Sequence, residues 1–280
     1  MIDLQYQTVN TSNGVVGYTT LGSGEPMILV VGYSGTMFHW NSDFVNELAK
    51  HHTLYLIDNR NIGLSQSNNA DSMHGLADDV SDFIDALKIN KPWVLGWSMG
   101  GAITLELACK TQDKLRGLIL MAAVPSNYYV NMDFIMFMAN AHNYTKDEFR
   151  KKLYYFFFSK EMNLNEADYI KSNALNFANY NYRFTDKAKD FQDAIIITWG
   201  GVDEEVLSQI TMPVLMLWSE NDFEVSKEAQ EFILKNIPHG SLVEYNNGGH
   251  FLIHHDPLKV AKDTIHFCKS SSLNNEILKS

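Results

Sequence analysis

The chain has 280 residues, 45% of them hydrophobic and 20% charged, with a formal net charge of −11. Such a composition belongs to a folded globular protein, far from the low-hydrophobicity, high-charge corner of disordered chains. The acidic balance, with no compensating basic run, argues against a nucleic-acid partner, because phosphate recognition needs lysine and arginine gathered on one face.

The opening residues Met1 to Gln7 have neither a basic stretch nor an apolar core of the kind a secretory signal needs, so the expected compartment is the cytoplasm. Leu4 to Val9 and Val15 to Thr20 read as a ribbon turning at Ser12-Asn13-Gly14. Short apolar runs then follow at Met27 to Val31, Leu54 to Ile57 and Trp93 to Leu95, separated by helical periodicity at Asn41 to Lys50 and Leu76 to Leu87. A helix at Gly101 to Lys110 and a strand at Leu118 to Ala122 continue the alternation. Succession of this kind predicts an α/β fold with a mostly parallel, doubly wound sheet. No stretch reaches the roughly 18 apolar residues of a membrane span; Pro26 to Val31 and Leu115 to Pro125 have the length of buried strands.

From Pro125 the pattern changes to clustered Met, Phe and Tyr without glycine-punctuated strands, and the alternation resumes only at Pro213 to Trp218. The division expected is a core from 1–124 and 210–269, a helical insertion over 125–209, and a polar tail over 270–280 that frays. After the resumed strand come a helix at Lys227 to Asn236, a strand at Leu242 to Tyr245 and a helix at Pro257 to Cys268. The two cysteines, Cys109 and Cys268, lack metal-ligand spacing and read as buried free thiols; nothing calls for a metal or cofactor.

The most specific feature is Gly96-Trp97-Ser98-Met99-Gly100, a G-x-S-x-G between an apolar strand and a helix. At such a turn the serine hydroxyl is pushed out of the sheet, and the glycines let neighbouring backbone pass closely. A serine hydroxyl needs a base to remove its proton, and the base needs an orienting group. His250, after the Asn246-Asn247-Gly248-Gly249 loop, is the candidate base, with His254 and His255 assigned to helix-end roles. Among Glu220, Asp222 and Glu224, Asp222 is the candidate acid. The oxyanion would take the backbone N–H groups of Met99 and of Tyr33 in Gly32-Tyr33-Ser34-Gly35, Tyr33 acting through its backbone more than its side chain. Trp97, Val124 and Phe251 are the candidate substrate contacts.

With these residues in place, the chain resembles the α/β-hydrolase fold family, serine-nucleophile branch, from about Gln5 to Phe267. Asp58 to Ser65 looks like the family's D-x-R-x-x-G-x-S segment, in which Asp58 and Arg60 would tie loops together, and Asn246 to His250 looks like its histidine loop. Two positions depart: Val31-Gly32 stands where relatives usually have His-Gly, and Asn61 replaces a frequent glycine. The resemblance implies an eight-stranded sheet, a cap formed by the insertion, and acyl transfer on a small-molecule ester or lactone by a monomer or homodimer. Carbon-carbon hydrolysis, lyase or perhydrolase chemistry from the same triad, and a hydrolase-derived ligand receptor, stay open at this point.

Overall fold

The computed structural model describes residues 4–158, 173–177 and 179–277. Strands β1 (Gln7–Asn10) and β2 (Gly14–Gly22) form the expected antiparallel ribbon, closed by a hydrogen bond from the Thr11 N–H to the Gly14 carbonyl. Leu4 lies outside it and makes only an isolated bridge to Phe177. Then follow β3 (Glu25–Val30), α1 (Ser42–Leu48), β4 (His52–Ile57), β5 (Gln66–Ser67), α2 (Met73–Leu87), β6 (Trp93–Trp97), α3 (Met99–Thr111) and β7 (Gly117–Met121). After a helical stretch the sheet is completed by β8 (Val214–Ser219) and β9 (Gly240–Tyr245), with α8 (Lys227–Asn236) between them. The strand order is β1-β2-β4-β3-β6-β7-β8-β9, parallel from β4 onward, with the two-residue β5 added beside β2 as a ninth strand.

The apolar runs are uninterrupted because both faces of the sheet are covered. Pleat alternation sends Ile28, Val30, Leu118 and Leu120 into one core with α2, α3 and α8. Met27, Leu29, Ile119 and Met121 go to the opposite core, with α1 and the terminal helix. The chain leaves β3 toward β4 on one side and returns to β6 on the other. At that reversal the loops after β3 and β6 diverge at the carboxyl edge of the sheet and leave a crevice.

Between β7 and β8 the described residues contribute helices and no sheet strand: α4 (Met132–Ala139), α5 (Lys146–Phe157), α6 (Asp186–Thr198) and α7 (Glu204–Ser208). Each begins on a side chain that accepts from the first turn. Asn131, Thr145, Thr185 and Asp203 fill these positions, and Glu148 completes a capping box with Thr145. No described helix is long and apolar enough to cross a membrane.

Several expectations need correction. A short helix, α9 (Leu252–His255), precedes α10 (Pro257–Ile277), and α10 continues well past Cys268 where a fraying tail was expected. Its inner face, through Val260, Ala261, Ile265 and Cys268, is already anchored to the sheet, so adding residues costs little once the helix is nucleated. Ser270 further bonds back to the His266 and Phe267 carbonyls. His254 does lie in the last turn of α9, at a helix end as expected, but in place of a capping role it is fully buried with its Nε2 3.0 Å from the His39 carbonyl. Both cysteines are free thiols, Cys268 buried and Cys109 only half-buried.

The Asp58 to Ser65 segment ties loops together as the resemblance implied. Arg60 bonds to both oxygens of Asp79, to Asp71 and to the carbonyls of Asn69, Ala70 and Gly75. Asp58 accepts from the Met37 N–H and the Tyr180 hydroxyl. Asn61 has φ +65°, a left-handed conformation that asparagine tolerates better than most residues, which explains its place where glycine is frequent.

Candidate active site

Ser98 sits at the sharp turn between β6 and α3 with φ +56° and ψ −121°. Conformations of this kind cost a non-glycine residue about 1–3 kcal/mol and persist only where the surroundings enforce them. Here the Ser98 N–H bonds to the Met121 carbonyl at 2.9 Å, and its own carbonyl accepts from Gly101 and Ala102. The glycines answer to close packing. A Cβ on Gly100 would lie 2.1 Å from the Val30 carbonyl oxygen, and one on Gly96 would lie 2.3 Å from the Gly100 oxygen. So β3, β6 and the first turn of α3 touch backbone to backbone. The Ser98 side chain makes no capping bond to its helix, although it occupies the N-cap position, and it faces the main cavity half-buried.

The loop after β3 lies directly against this turn. A Cβ on Gly32 would be 2.9 Å from the Trp97 oxygen and 3.0 Å from Ser98 Cβ, which sets the backbone leading into Tyr33 beside the serine. Ser34 adopts φ +57° and donates its N–H to Gln192 Oε1 at 2.9 Å, and Gly35 closes the turn onto the Gly32 carbonyl. The bracing that a histidine at Val31 would have given comes from Asn59, whose amide donates to the Val31 carbonyl at 2.8 Å. The Tyr33 side chain has a larger part than the backbone role expected of it: its hydroxyl donates to Asp193 of α6 at 2.6 Å, fastening the loop to the insertion. Burial, then the bond to Asp193, raises the phenol pKa well above its usual value, so the hydroxyl stays protonated as the donor. Met99, whose N–H belongs to the first turn of α3, lines the same cavity as Tyr33.

His250 and Asp222 meet as predicted. His250 Nδ1 lies 3.0 Å from Asp222 Oδ2 and 3.2 Å from Oδ1. Asp222 is fixed in turn by the Glu224 and Val225 N–H groups, which donate to Oδ1 at 2.9 and 3.0 Å. The Trp97 indole donates to the His250 carbonyl, and the Phe157 ring stacks over the imidazole at 5.9 Å between centroids. The other ring nitrogen, Nε2, faces Glu224 Oε2 at 3.3 Å, and among the described residues no hydrogen bond joins it to Ser98 Oγ. Burial alone would lower the His250 pKa, but the Glu224 and Asp222 charges together outweigh it and push it up to about 9. Burial pushes Glu224 up to about 8, against the opposing pull of His250.

Ser98, Met99, Tyr33, His250, Trp97, Val124 and Phe251 all line one cavity of about 530 Å³, with Asp222 behind the imidazole. The outer wall is apolar and comes from the insertion: Phe134, Ile135 and Met138 of α4, Ile196 of α6, and Phe149, Leu153 and Phe157 at four-residue spacing along α5. Phe251 stacks on Phe157 at 4.2 Å and meets Trp97 edge to face at 4.8 Å. The α5 wall was readable as an i, i+4, i+8 stripe, but a stripe does not say whether it faces a core or a cavity. In the sequence Glu224 is only one of three acids in the loop after β8. Its proximity to Nε2 had no signal in the sequence.

A family model for the alpha/beta hydrolase fold matches residues 25–257. The esterase YbfF of Escherichia coli (strain K12) is 24% identical over 231 residues, which cover 82% of this chain and 87% of that protein. The pimeloyl-[acyl-carrier protein] methyl ester esterase of Proteus mirabilis is 32% identical over 109 residues, 39% of this chain and 40% of that one. Among solved structures, an alpha/beta hydrolase fold protein from Chitinophaga pinensis superposes with a TM-score of 0.81 at 23% identity, covering 94% of this chain and 97% of that one. The esterase RhEst1 from Rhodococcus gives a TM-score of 0.77 at 18% identity, covering 96% and 100% respectively.

The packing at Gly100 gives a direct check. Gly100→Ala places a methyl against backbone that cannot rotate aside, and is expected to cost about 3 kcal/mol or more, read as a lowered urea midpoint at unchanged m-value. A loss below about 0.5 kcal/mol would contradict the close approach of α3 to β3.

Proposed function

Because this chain belongs to the α/β-hydrolase fold family and is an esterase, we propose that it cleaves carboxylic esters, lactones or related acyl compounds of apolar small molecules through an acyl-enzyme on Ser98. The observation that carries the reading is the strained Ser98 turn, whose hydroxyl is uncommitted to its helix and opens on the same cavity as a histidine–aspartate pair.

In this reading rotation of the imidazole brings Nε2 from Glu224 to Ser98 Oγ; catalytic hydrogen bonds are commonly long before substrate binds. His250 takes the serine proton as Oγ attacks the substrate carbonyl, and the carbonyl π pair moves to oxygen. The oxyanion is met by the Tyr33 and Met99 N–H groups, with the positive end of α3 behind Met99. Asp222 holds the imidazolium in place. As the tetrahedral species collapses, the C–O bond to the alcohol breaks and His250 gives its proton to the leaving oxygen. Water then attacks the acyl-enzyme with His250 again as base, releasing the acid and restoring the Ser98 hydroxyl.

The wall of the cavity favours an apolar acyl or alcohol group. Phe134, Ile135, Phe149 and Leu153 offer hydrocarbon surface and no charge, and the remaining carboxylate of the insertion side, Asp193, is engaged by Tyr33 and Lys189. Fold membership alone does not select the substrate.

Two outcomes test the reading. Ser98→Ala is expected to lose at least about 10⁴-fold in kcat on p-nitrophenyl esters while keeping the parent's thermal unfolding midpoint; retained turnover would overturn Ser98 as nucleophile. Across straight-chain esters, kcat/KM should climb by up to about fourfold per methylene, the equivalent of roughly 0.8 kcal/mol of buried CH₂, until the cavity is filled. A flat or falling series from acetate onward would contradict the apolar pocket.

A further inference from the structure

Glu224 is a buried carboxylate that the reaction above does not use. Its side chain is 6% exposed, Oε2 lies 3.3 Å from His250 Nε2, and among the described residues Oε1 has no hydrogen-bond partner. Leaving a carboxylate oxygen buried and unpaired costs free energy, so an ordinary structural role would be filled more cheaply by an apolar side chain of the same length.

The backbone of Glu224 is fixed on both sides. The Glu224 N–H is committed to Asp222, and its carbonyl accepts from the Asn131 N–H at 2.8 Å, next to a bridge between Val225 and Val130. Glu224 is thus held where the first cap helix begins, on the segment that also presents Asp222.

The groups around the imidazole are few. From the loop after β8 come Asp222 at Nδ1 and Glu224 at Nε2. From α5 comes the Phe157 ring, and from β6 the Trp97 ring. From α9, His254 is near Trp97, and burial holds it down at about 4, so it brings no positive charge. Among the described residues no lysine or arginine forms an ion pair with Glu224. His250 is therefore a cation site between two carboxylates, one on each ring nitrogen.

We propose that Glu224 is a positioning residue that holds the Nε2 edge of His250 and thereby sets the lowest pH at which the base is available to Ser98. The inference rests on the reading of His250 as base. Two carboxylates favour the protonated ring, and a ring protonated at Nε2 cannot accept the serine proton. Glu224 therefore delays the gain of activity as pH rises. In exchange, its charge stabilises the imidazolium that forms when Ser98 attacks. His250 and Glu224 titrate as a pair, so removing the Glu224 charge must move the histidine step to lower pH.

The test uses Glu224→Gln, which keeps the shape and removes the charge, and Glu224→Met as a second variant should the glutamine protein fold poorly. His250 is titrated by NMR of imidazole-labelled protein in the Ser98→Ala background, and the pH profile of kcat/KM is measured with Ser98 present. The expected result is a His250 titration displaced downward by about one unit or more, with the acid limb displaced equally, so that kcat/KM near pH 8, where the Glu224 charge is present, rises by about fivefold for a one-unit displacement. Glu224→Asp, which retains the charge, should stay nearer the parent than glutamine does. A folded Glu224→Gln protein whose His250 titration does not move overturns the proposal. An acid limb in the parent that ignores the His250 titration would instead contradict His250 as base, while the NMR displacement would still decide the role of Glu224.

Discussion

The backbone contact among β3, β6 and the start of α3 is the constraint on which the site depends. A turn holding Ser98 at φ +56° is affordable only because the strand before it and the helix after it are clamped, and the clamp works only where glycine lets backbone meet backbone. The same contact carries the loop after β3 against Ser98, through the missing Cβ of Gly32. One packing arrangement therefore fixes both the serine and the backbone proposed to receive the oxyanion. Asn59, Asp58 and Arg60, a residue group outside the proposed chemistry, hold the outer side of that arrangement.

A second layer connects the sheet to the insertion. Tyr33 reaches Asp193, Ser34 reaches Gln192, and Asn131 reaches Glu224, so the loops bearing the proposed oxyanion donor and acid are both bonded to the helices that wall the cavity. Movement of those helices would be felt at the reacting groups. His250, Asp222 and Glu224 are all buried, and in that setting the two carboxylates act on the imidazole with little screening.

Much of this was legible in the chain because the signals were local. The G-x-S-x-G between an apolar strand and a helix located the turn, and the strand-helix alternation located the sheet. Among three loop acids, Asp222 was singled out by its distance past the strand and its short side chain, and Asp222 and His250 do meet. What the sequence withheld was set by tertiary contact. The phenol of Tyr33 finds its partner 160 residues away, so its side chain looked dispensable. The aromatic stripe on α5 has the same spacing whether it faces a core or a cavity. The polar end of α10 looked like a tail because its stability comes from an anchor earlier in the helix. Glu224 looked like one of three loop acids, and nothing in its neighbours announced that it would face Nε2.

The central claim, that Ser98 is the group made nucleophilic by this packing, is tested most directly by treating the intact protein with a fluorophosphonate and measuring its mass, followed by peptide mapping. The account predicts a single adduct, on the peptide containing Ser98, formed in step with loss of ester hydrolysis. An adduct on another residue, or an unmodified Ser98 in protein that has lost its activity, would contradict it.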